Sequence, residues 1–463
     1  MALERVSTGI DGFDDLLHGG IIRGNSVLIE GIPGAGKTTF GIEFIYRGIT
    51  EYGEPGLIVT FEELPESIYR DALNFGWDLR ALEDANKLRI LCTSPEVLAD
   101  TEVNLLEEAA REVGARRILV DSISHFRTIL NEGLSLRRSF YSFCNGLRRL
   151  KLTSFLVKER ESEGSREYAF EEYVVDAIIR LENKDRPGLH RHRVLEICKT
   201  RGQEYIPGKH TFRITNRGIK VLALIRDLDV YGQEQHENEL LCTGVPGLDN
   251  LLQGGLPRGV SLAVAGSSGT GKTVLGLQFL AKGAMDYGEK GIFLSMEETP
   301  SQLIANSLRF NWDLRSLQEQ DMVKIIYKPL SSMEIDETII WLGEKVKSLG
   351  ARRLVIDSIY GFFSRIDNAA VLHEKFYCLV TYLNSLNCTN FLISPAWELA
   401  DSGKVEVIHS VVQGTILLKS ILLKNRRVRQ LEIYKMRGVN HAMGNHLLEI
   451  NNSGVQVFPR LGG

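Results

Sequence analysis

Short, unbroken apolar runs alternate with amphipathic stretches along this chain, and the same alternation occurs twice. In the first half, Val27-Leu28-Ile29 leads into a glycine-rich stretch, and Thr38 to Tyr46 has helical spacing. Leu57-Ile58-Val59-Thr60-Phe61 and Ile118-Leu119-Val120 read as strands, followed by Ser154-Phe155-Leu156-Val157 and Ala177-Ile178-Ile179. Runs that are apolar at consecutive positions must be covered on both faces, which predicts a parallel sheet between layers of helices. Towards the end of the half, Arg193-Val194-Leu195-Glu196-Ile197 and Phe212-Arg213-Ile214 follow closely and predict an antiparallel extension. The fold class is α/β.

The second half repeats the first at an offset of 235 or 236 positions. Thr8-Gly9-Ile10-Asp11-Gly12-Phe13-Asp14 returns as Thr243-Gly244-Val245-Pro246-Gly247-Leu248-Asp249, and Phe75-Gly76-Trp77-Asp78-Leu79 as Phe310-Asn311-Trp312-Asp313-Leu314. Gly114-Ala115-Arg116-Arg117, with the strand after it, returns as Gly350-Ala351-Arg352-Arg353. So long a period means tandem domains rather than a solenoid. The polar stretch Arg226 to Glu239 reads as a linker, so the predicted domains are 1–225 and 240–463 with 226–239 between them.

Composition narrows the setting. The length of 463 residues, with 43% hydrophobic and 25% charged residues, is ordinary for a globular chain. A net charge of −4 gives no global attraction to nucleic acid or to an anionic membrane. The six scattered cysteines lack C-x-x-C spacing, which favours a reducing compartment over disulfides or zinc. With no signal peptide and no apolar run near the roughly 20 residues of a membrane span, the expected location is cytoplasmic, with no membrane partner.

The chemistry enters with the pattern G-x-x-x-x-G-K-[ST], present as Gly31-Ile32-Pro33-Gly34-Ala35-Gly36-Lys37-Thr38 and as Gly266-Ser267-Ser268-Gly269-Thr270-Gly271-Lys272-Thr273. Its glycines let backbone N–H groups curl around phosphates, the lysine meets the outer phosphate oxygens, and the threonine hydroxyl reaches Mg²⁺. Thr39 and Val274 follow each motif and join the nucleotide-binding set with Gly31, Gly34, Gly36, Gly266, Gly269, Thr270 and Gly271. Asp121 and Asp357 end apolar strands, as a metal-holding acid does, although a serine after each also suits a helix N-cap. The pairs Glu62-Glu63 and Glu297-Glu298 also follow strands, where a carboxylate can orient the attacking water, or else form a solvated acidic loop. Lys199 with Arg201, and Lys435 with Arg437, alternate along a strand and share a face. Such a pair can engage phosphates in its own domain or across a subunit boundary, or be a plain basic strand. His18, His125, His190 and His192 read as loop or surface histidines, Trp77 and Trp312 as packing residues, and Lys158 to Glu172 as a mobile loop.

Together, T-G-x-x-G-[FL]-D, both phosphate loops, both Glu pairs, F-x-W-D-L and the two K-x-R-G segments resemble the KaiC family, the ATPases and autokinases typified by the cyanobacterial circadian clock. The similarity covers essentially the whole chain. It implies two tandem RecA-like P-loop NTPase domains, stacked as two rings in a homohexamer, with ATP and Mg²⁺ between neighbouring subunits. It implies that Lys37, Thr38, Glu62, Glu63 and Asp121 serve the N-terminal site, and Lys272, Thr273, Glu297, Glu298 and Asp357 the C-terminal one. Lys199, Arg201, Lys435 and Arg437 would reach the adjacent subunit's nucleotide. The family phosphorylates an adjacent Ser-Thr pair; aligning Ile416-Leu417-Leu418 places Ser410-Val411 there, so one acceptor, Ser410, remains, unless it is a structural serine. The chain stops at Phe458-Pro459-Arg460-Leu461-Gly462-Gly463, without the tail that binds KaiA, so KaiA-type stimulation and a clock role are not expected. The implied function is an ATPase with autokinase activity acting in signalling through unnamed protein partners. The alternatives are a DNA-dependent motor on the same core, disfavoured by net charge and the lack of an accessory DNA-binding domain, and an ATP-switched scaffold.

Overall fold

A computed structural model of the chain describes residues 4–94, 105–125, 134–160, 170–184, 192–222, 239–329, 335–364, 366, 368–396, 402–423 and 425–459. The chain divides into two compact units, Met1–Ala223 and Leu224–Gly463. The expected linker, Glu239 apart, lies outside the described residues.

Each unit is built on a nine-stranded sheet. In the first, the strand order is Gly218–Leu222, Lys209–Thr215, His192–Thr200, Ala177–Lys184, Ser26–Gly31, Thr153–Glu159, Arg117–Asp121, Gly56–Thr60 and Leu88–Cys92. From Ala177–Lys184 to Leu88–Cys92 every neighbour is parallel, whereas His192–Thr200 and the two strands beyond it are antiparallel. The second unit repeats this order from Gly454–Phe458 through Ser261–Gly266 to Val323–Tyr327. All six residues of Ser26–Gly31 and of Ser261–Gly266 are buried, as strands covered on both faces require. Both antiparallel extensions lie where the closely spaced strand segments predicted them.

The repeated motifs without obvious chemistry turn out to be folding devices. Asp14 turns its carboxylate back to accept from Thr8 N (2.9 Å), Thr8 Oγ1 (2.7 Å) and Gly9 N (3.2 Å), closing the T-G-x-x-G-F-D turn. Gly12 takes φ of 73°, and a Cβ there would meet Val221 O at 2.1 Å, so no side chain fits. The second arginine of G-A-R-R is fully buried: Arg117 donates to Glu54 Oε2 (2.7 Å), Phe44 O (3.1 Å) and Ser7 O (2.8 Å). Arg353 does the same with Glu289, Phe279 O and Cys242 O. In each unit the guanidinium ties the N-terminal turn to the helix that follows the phosphate loop. Trp77 and Trp312 are buried against Phe75 and Phe310 at centroid distances of 4.7 and 4.9 Å, which makes them packing residues.

One expectation needs correcting. Lys158 and Glu159 close the strand Thr153–Glu159, while Glu171 and Glu172 lie in the helix Phe170–Val174. The ends of the expected mobile loop are therefore regular structure, with buried Lys158 paired to Glu171 at 3.4 Å. Residues 161–169 lie outside the described part.

Candidate nucleotide sites

In each unit the central strand runs directly into the phosphate loop, and a 16-residue helix, Lys37–Tyr52 or Lys272–Tyr287, leaves it. The residue before each helix is glycine in the left-handed region, Gly36 at φ 102° and Gly271 at φ 104°. That geometry aims the first free N–H groups of the helix into the loop, where the helix dipole also favours an anion. Thr38, Thr39, Thr273 and Val274 occupy this first turn and are half-buried.

The acids come from a different strand. Arg117–Asp121 and Arg353–Asp357 lie two places from the loop-bearing strand, and their register brings the last residue to the loop. Thr38 Oγ1 donates to Asp121 Oδ2 at 2.6 Å, and Thr273 Oγ1 to Asp357 Oδ2 at 2.7 Å. The serine after Asp357 takes the N-cap position of the next helix without a side-chain capping bond, while the Asp357 carboxylate itself turns to the loop threonine. Burial raises both carboxyls above their ordinary range, Asp357 to about 6, opposed by the threonine hydrogen bond. Burial likewise lowers Lys37 and Lys272. Lys37 Nζ donates to Ile32 O (3.1 Å), and Lys272 Nζ to Gly266 O (2.7 Å) and Ser267 O (2.9 Å), so both ammonium groups sit inside their loops. A hydroxyl, a carboxylate and an ammonium around a nest of N–H groups make a donor set suited to a magnesium–triphosphate complex.

The glutamate pairs differ between units. Glu62 Oε1 lies 3.4 Å from His125 Nε2, while Glu63 is raised by partial burial and then by the Asp121 charge. In the second unit Glu298 Oε2 accepts from Asn306 Nδ2 (3.1 Å), and Glu297 adds to the field on Asp357 and Lys272.

Lys199 and Arg201 do not meet their own phosphate loop. Lys199 Nζ donates to Glu172 O (2.7 Å) and Val175 O (3.0 Å), and Arg201 to Tyr173 O (2.7 Å). Lys435 and Arg437 likewise donate to His409 O (2.8 Å) and Ser410 O (3.2 Å). Each pair caps the carbonyl end of a preceding helix, where cations are favoured. Arg201 N bonds Asp176 O, and Asp176 N bonds Ser26 O, at the start of the central strand. The loop lies at that strand's other end, about 17 Å away at ~3.3 Å per residue. The own-domain alternative for these cations therefore fails. Ser410, exposed at the end of the helix Ser402–Val411, donates its hydroxyl to Val407 O (2.8 Å) and also stands at the far end of its unit.

Three site residues escape a reading of the sequence. His125, expected on a plain surface loop, follows Asp121 in the short turn Ile123–His125 and faces Glu62. Glu159 ends a neighbouring strand and its charge acts on Lys37 and Asp121. Arg429 donates to Gly269 O (3.2 Å) from the antiparallel extension. No spacing signal marks them, because strand order alone brings them in. His18 is exposed, His192 opens the strand His192–Thr200, and His190 lies outside the described residues.

A family model for KaiC-type ATPases matches residues 6–225 and again 241–462. The chain is 31% identical over 469 residues to the circadian clock oscillator protein KaiC of Parathermosynechococcus lividus, covering 98% of this chain and 85% of that one. It is 30% identical to the proteins of the same name from Thermostichus vulcanus and Synechococcus elongatus, with 98% and 89% covered in each case. Among the described residues no helix is long and apolar enough to cross a membrane.

Proposed function

The chain belongs to the KaiC ATPase family, and from that premise we propose that it hydrolyses ATP at two sites per chain within a homohexamer of two stacked rings. One observation carries the reading: in both units the loop threonine and the strand-end aspartate meet at 2.6 and 2.7 Å beside a loop-held lysine. Neither copy has lost a part. Loop N–H groups and Lys37 or Lys272 bind the triphosphate. Thr38 with Asp121, and Thr273 with Asp357, would hold Mg²⁺, which neutralises phosphate charge when bound. A carboxylate of Glu62-Glu63 or Glu297-Glu298 orients the attacking water. Lys199 and Arg201, and Lys435 and Arg437, lie too far from their own loops and serve the neighbouring subunit's phosphates. Ser410, at the same end of its unit, accepts a phosphoryl group from a neighbour's nucleotide rather than its own. Val411 offers no second hydroxyl. The protein acts in the cytoplasm as a signalling ATPase.

Incubation of the full chain with γ-labelled ATP and Mg²⁺ tests this. Phosphate release is expected to fall in Lys37→Ala and again in Lys272→Ala, and to vanish in the double variant. Label on the protein is expected to disappear in Ser410→Ala. Release that persists in the double variant rules out the two-site reading, and label unaffected by Ser410→Ala rules out that acceptor.

A further inference from the structure

A cleft in the first unit is lined by residues that its repeat keeps only in part. Arg137, Arg138, Tyr141, Arg148, Tyr173 and Arg201 line a cleft of about 440 Å³, within the size range of small-molecule sites. It lies between the helix Leu134–Arg149 and the end of the helix Phe170–Val174, at the end of the central strands remote from this unit's phosphate loop. Four guanidinium groups converge there. Arg148 Nη2 is 3.2 Å from Asp176, and Arg201 Nη1 is 4.0 Å from the same carboxylate. Arg137 and Arg138 are exposed and enter no ion pair among the described residues, and the residues lining the cleft include four arginines and no acid. Tyr141 and Tyr173 expose more than half of their surface at the rim.

The repeat supplies an internal comparison. At the 236-residue offset, Arg137, Arg138 and Arg148 become His373, Glu374 and Asn384, while Tyr141 and Arg201 remain as Tyr377 and Arg437. Asp176 accepts from Ser26 N, and in the second unit Gln413 accepts from Ser261 N in the same way. The frame is thus retained, but a charged Arg–Asp pair is replaced by neutral amides and two exposed arginines by a histidine and a glutamate. Self-repulsion among four arginines, only two of which pair with Asp176, costs stability, which a multiply charged anion would remove. Arginine forks fit phosphate oxygens two at a time, and no lysine lines the cleft.

We propose that this cleft binds an oligophosphate carrying three or more negative charges. The ligand is either free in solution or the triphosphate of a nucleotide held by a neighbouring copy. The neighbour's-nucleotide case rests on the inter-subunit reading above and adds Arg137, Arg138 and Arg148 to Arg201; neither case depends on hydrolysis or on Ser410.

The test uses full-length protein whose loops are saturated with Mg²⁺ and a labelled, non-hydrolysable ATP analogue, and titrates inorganic tripolyphosphate calorimetrically while the bound label is followed. A free-ligand cleft takes up about one tripolyphosphate per chain without releasing analogue. The Arg137→Ala/Arg138→Ala variant then loses about tenfold to hundredfold in affinity, as removal of charge-assisted bonds predicts. If the neighbour's nucleotide fills the cleft, no extra equivalent binds, and the same variant instead weakens the analogue at one of its two sites by a similar factor. The Arg→Lys pair should retain part of either effect, and His373→Ala/Glu374→Ala should show neither. Circular dichroism of the exposed double variant checks its fold. Unchanged binding of both tripolyphosphate and analogue in a folded Arg137→Ala/Arg138→Ala variant overturns the proposal. Failure of the two-site reading appears separately, as fewer than two analogue molecules bound to wild type.

Discussion

Glu43 shows how much one buried side chain can decide. It is about 1% exposed, accepts from Ile219 N at 2.7 Å, and is pushed up to about 7, chiefly by burial. Its ordinary value is 4.5, so between about 4.5 and 7 the folded chain holds a proton that the unfolded chain releases. Stability from this group therefore grows as pH falls through that window, and the penalty is complete above pH 7. The second unit has Gln278 at the matching position, accepting from Val455 N and donating to Gly244 O and Val455 O. Glu43→Gln should stabilise the first unit by on the order of 1–3 kcal/mol at pH 8 and by almost nothing near pH 4.5. Denaturant midpoints across that range will check it, and a pH-independent effect would count against it. At the second nucleotide site, Asn306 ties down Glu298, whereas Glu297 is the member of the pair whose charge acts on both Lys272 and Asp357. With the first site silenced by Lys37→Ala, Glu297→Gln should cut turnover by about a hundredfold or more and Glu298→Gln by only a few-fold. Analogue affinity should hold in both.

Among elements, the turn from Thr8 to Asp14 has more structural consequence than its short length suggests. Asp14 satisfies two backbone N–H groups and a hydroxyl, and Arg117 pins the adjacent Ser7 carbonyl. Asp14→Ala leaves those donors unpaired and should cost about 2–4 kcal/mol. Hydrogen exchange in peptides of the first unit will register this as faster opening, while peptides of the second unit stay unchanged. The motif is prominent in the sequence because it is repeated, but its role is structural. The reverse holds for the strand ends, where a single added residue, Glu159 or His125, changes the charge around the first site without any counterpart in the repeat.

For the whole molecule, the distance between each Lys-x-Arg pair and its own loop makes complementation the decisive experiment. One chain carries Lys37→Ala, the other Lys199→Ala with Arg201→Ala, and both carry Lys272→Ala to silence the second site. Neither alone should turn over ATP at the first site. Mixed under exchange conditions, they should regain on the order of a quarter of the parent rate if a head-to-tail ring pairs them at random. Native mass spectrometry of the mixture should give six chains. No recovery in mixed hexamers would mean that these cations act only as helix caps.

The sequence by itself determined the two phosphate loops, the acids at strand ends, the tandem duplication and the α/β class, because each is written in contiguous residues or in a regular period. The Thr38–Asp121 contact, spanning 83 positions, was foreseeable only because both partners belong to such motifs. Tertiary structure alone decided that the buried arginine of G-A-R-R is a tie, that the Lys-x-Arg pairs stand away from their own loops, that Glu159 and His125 join the first site, and that four arginines share a cleft. The physical reason is that spacing along a strand fixes which face a side chain takes. Strand order and register fix whom it meets, and those are set by packing across the whole sheet.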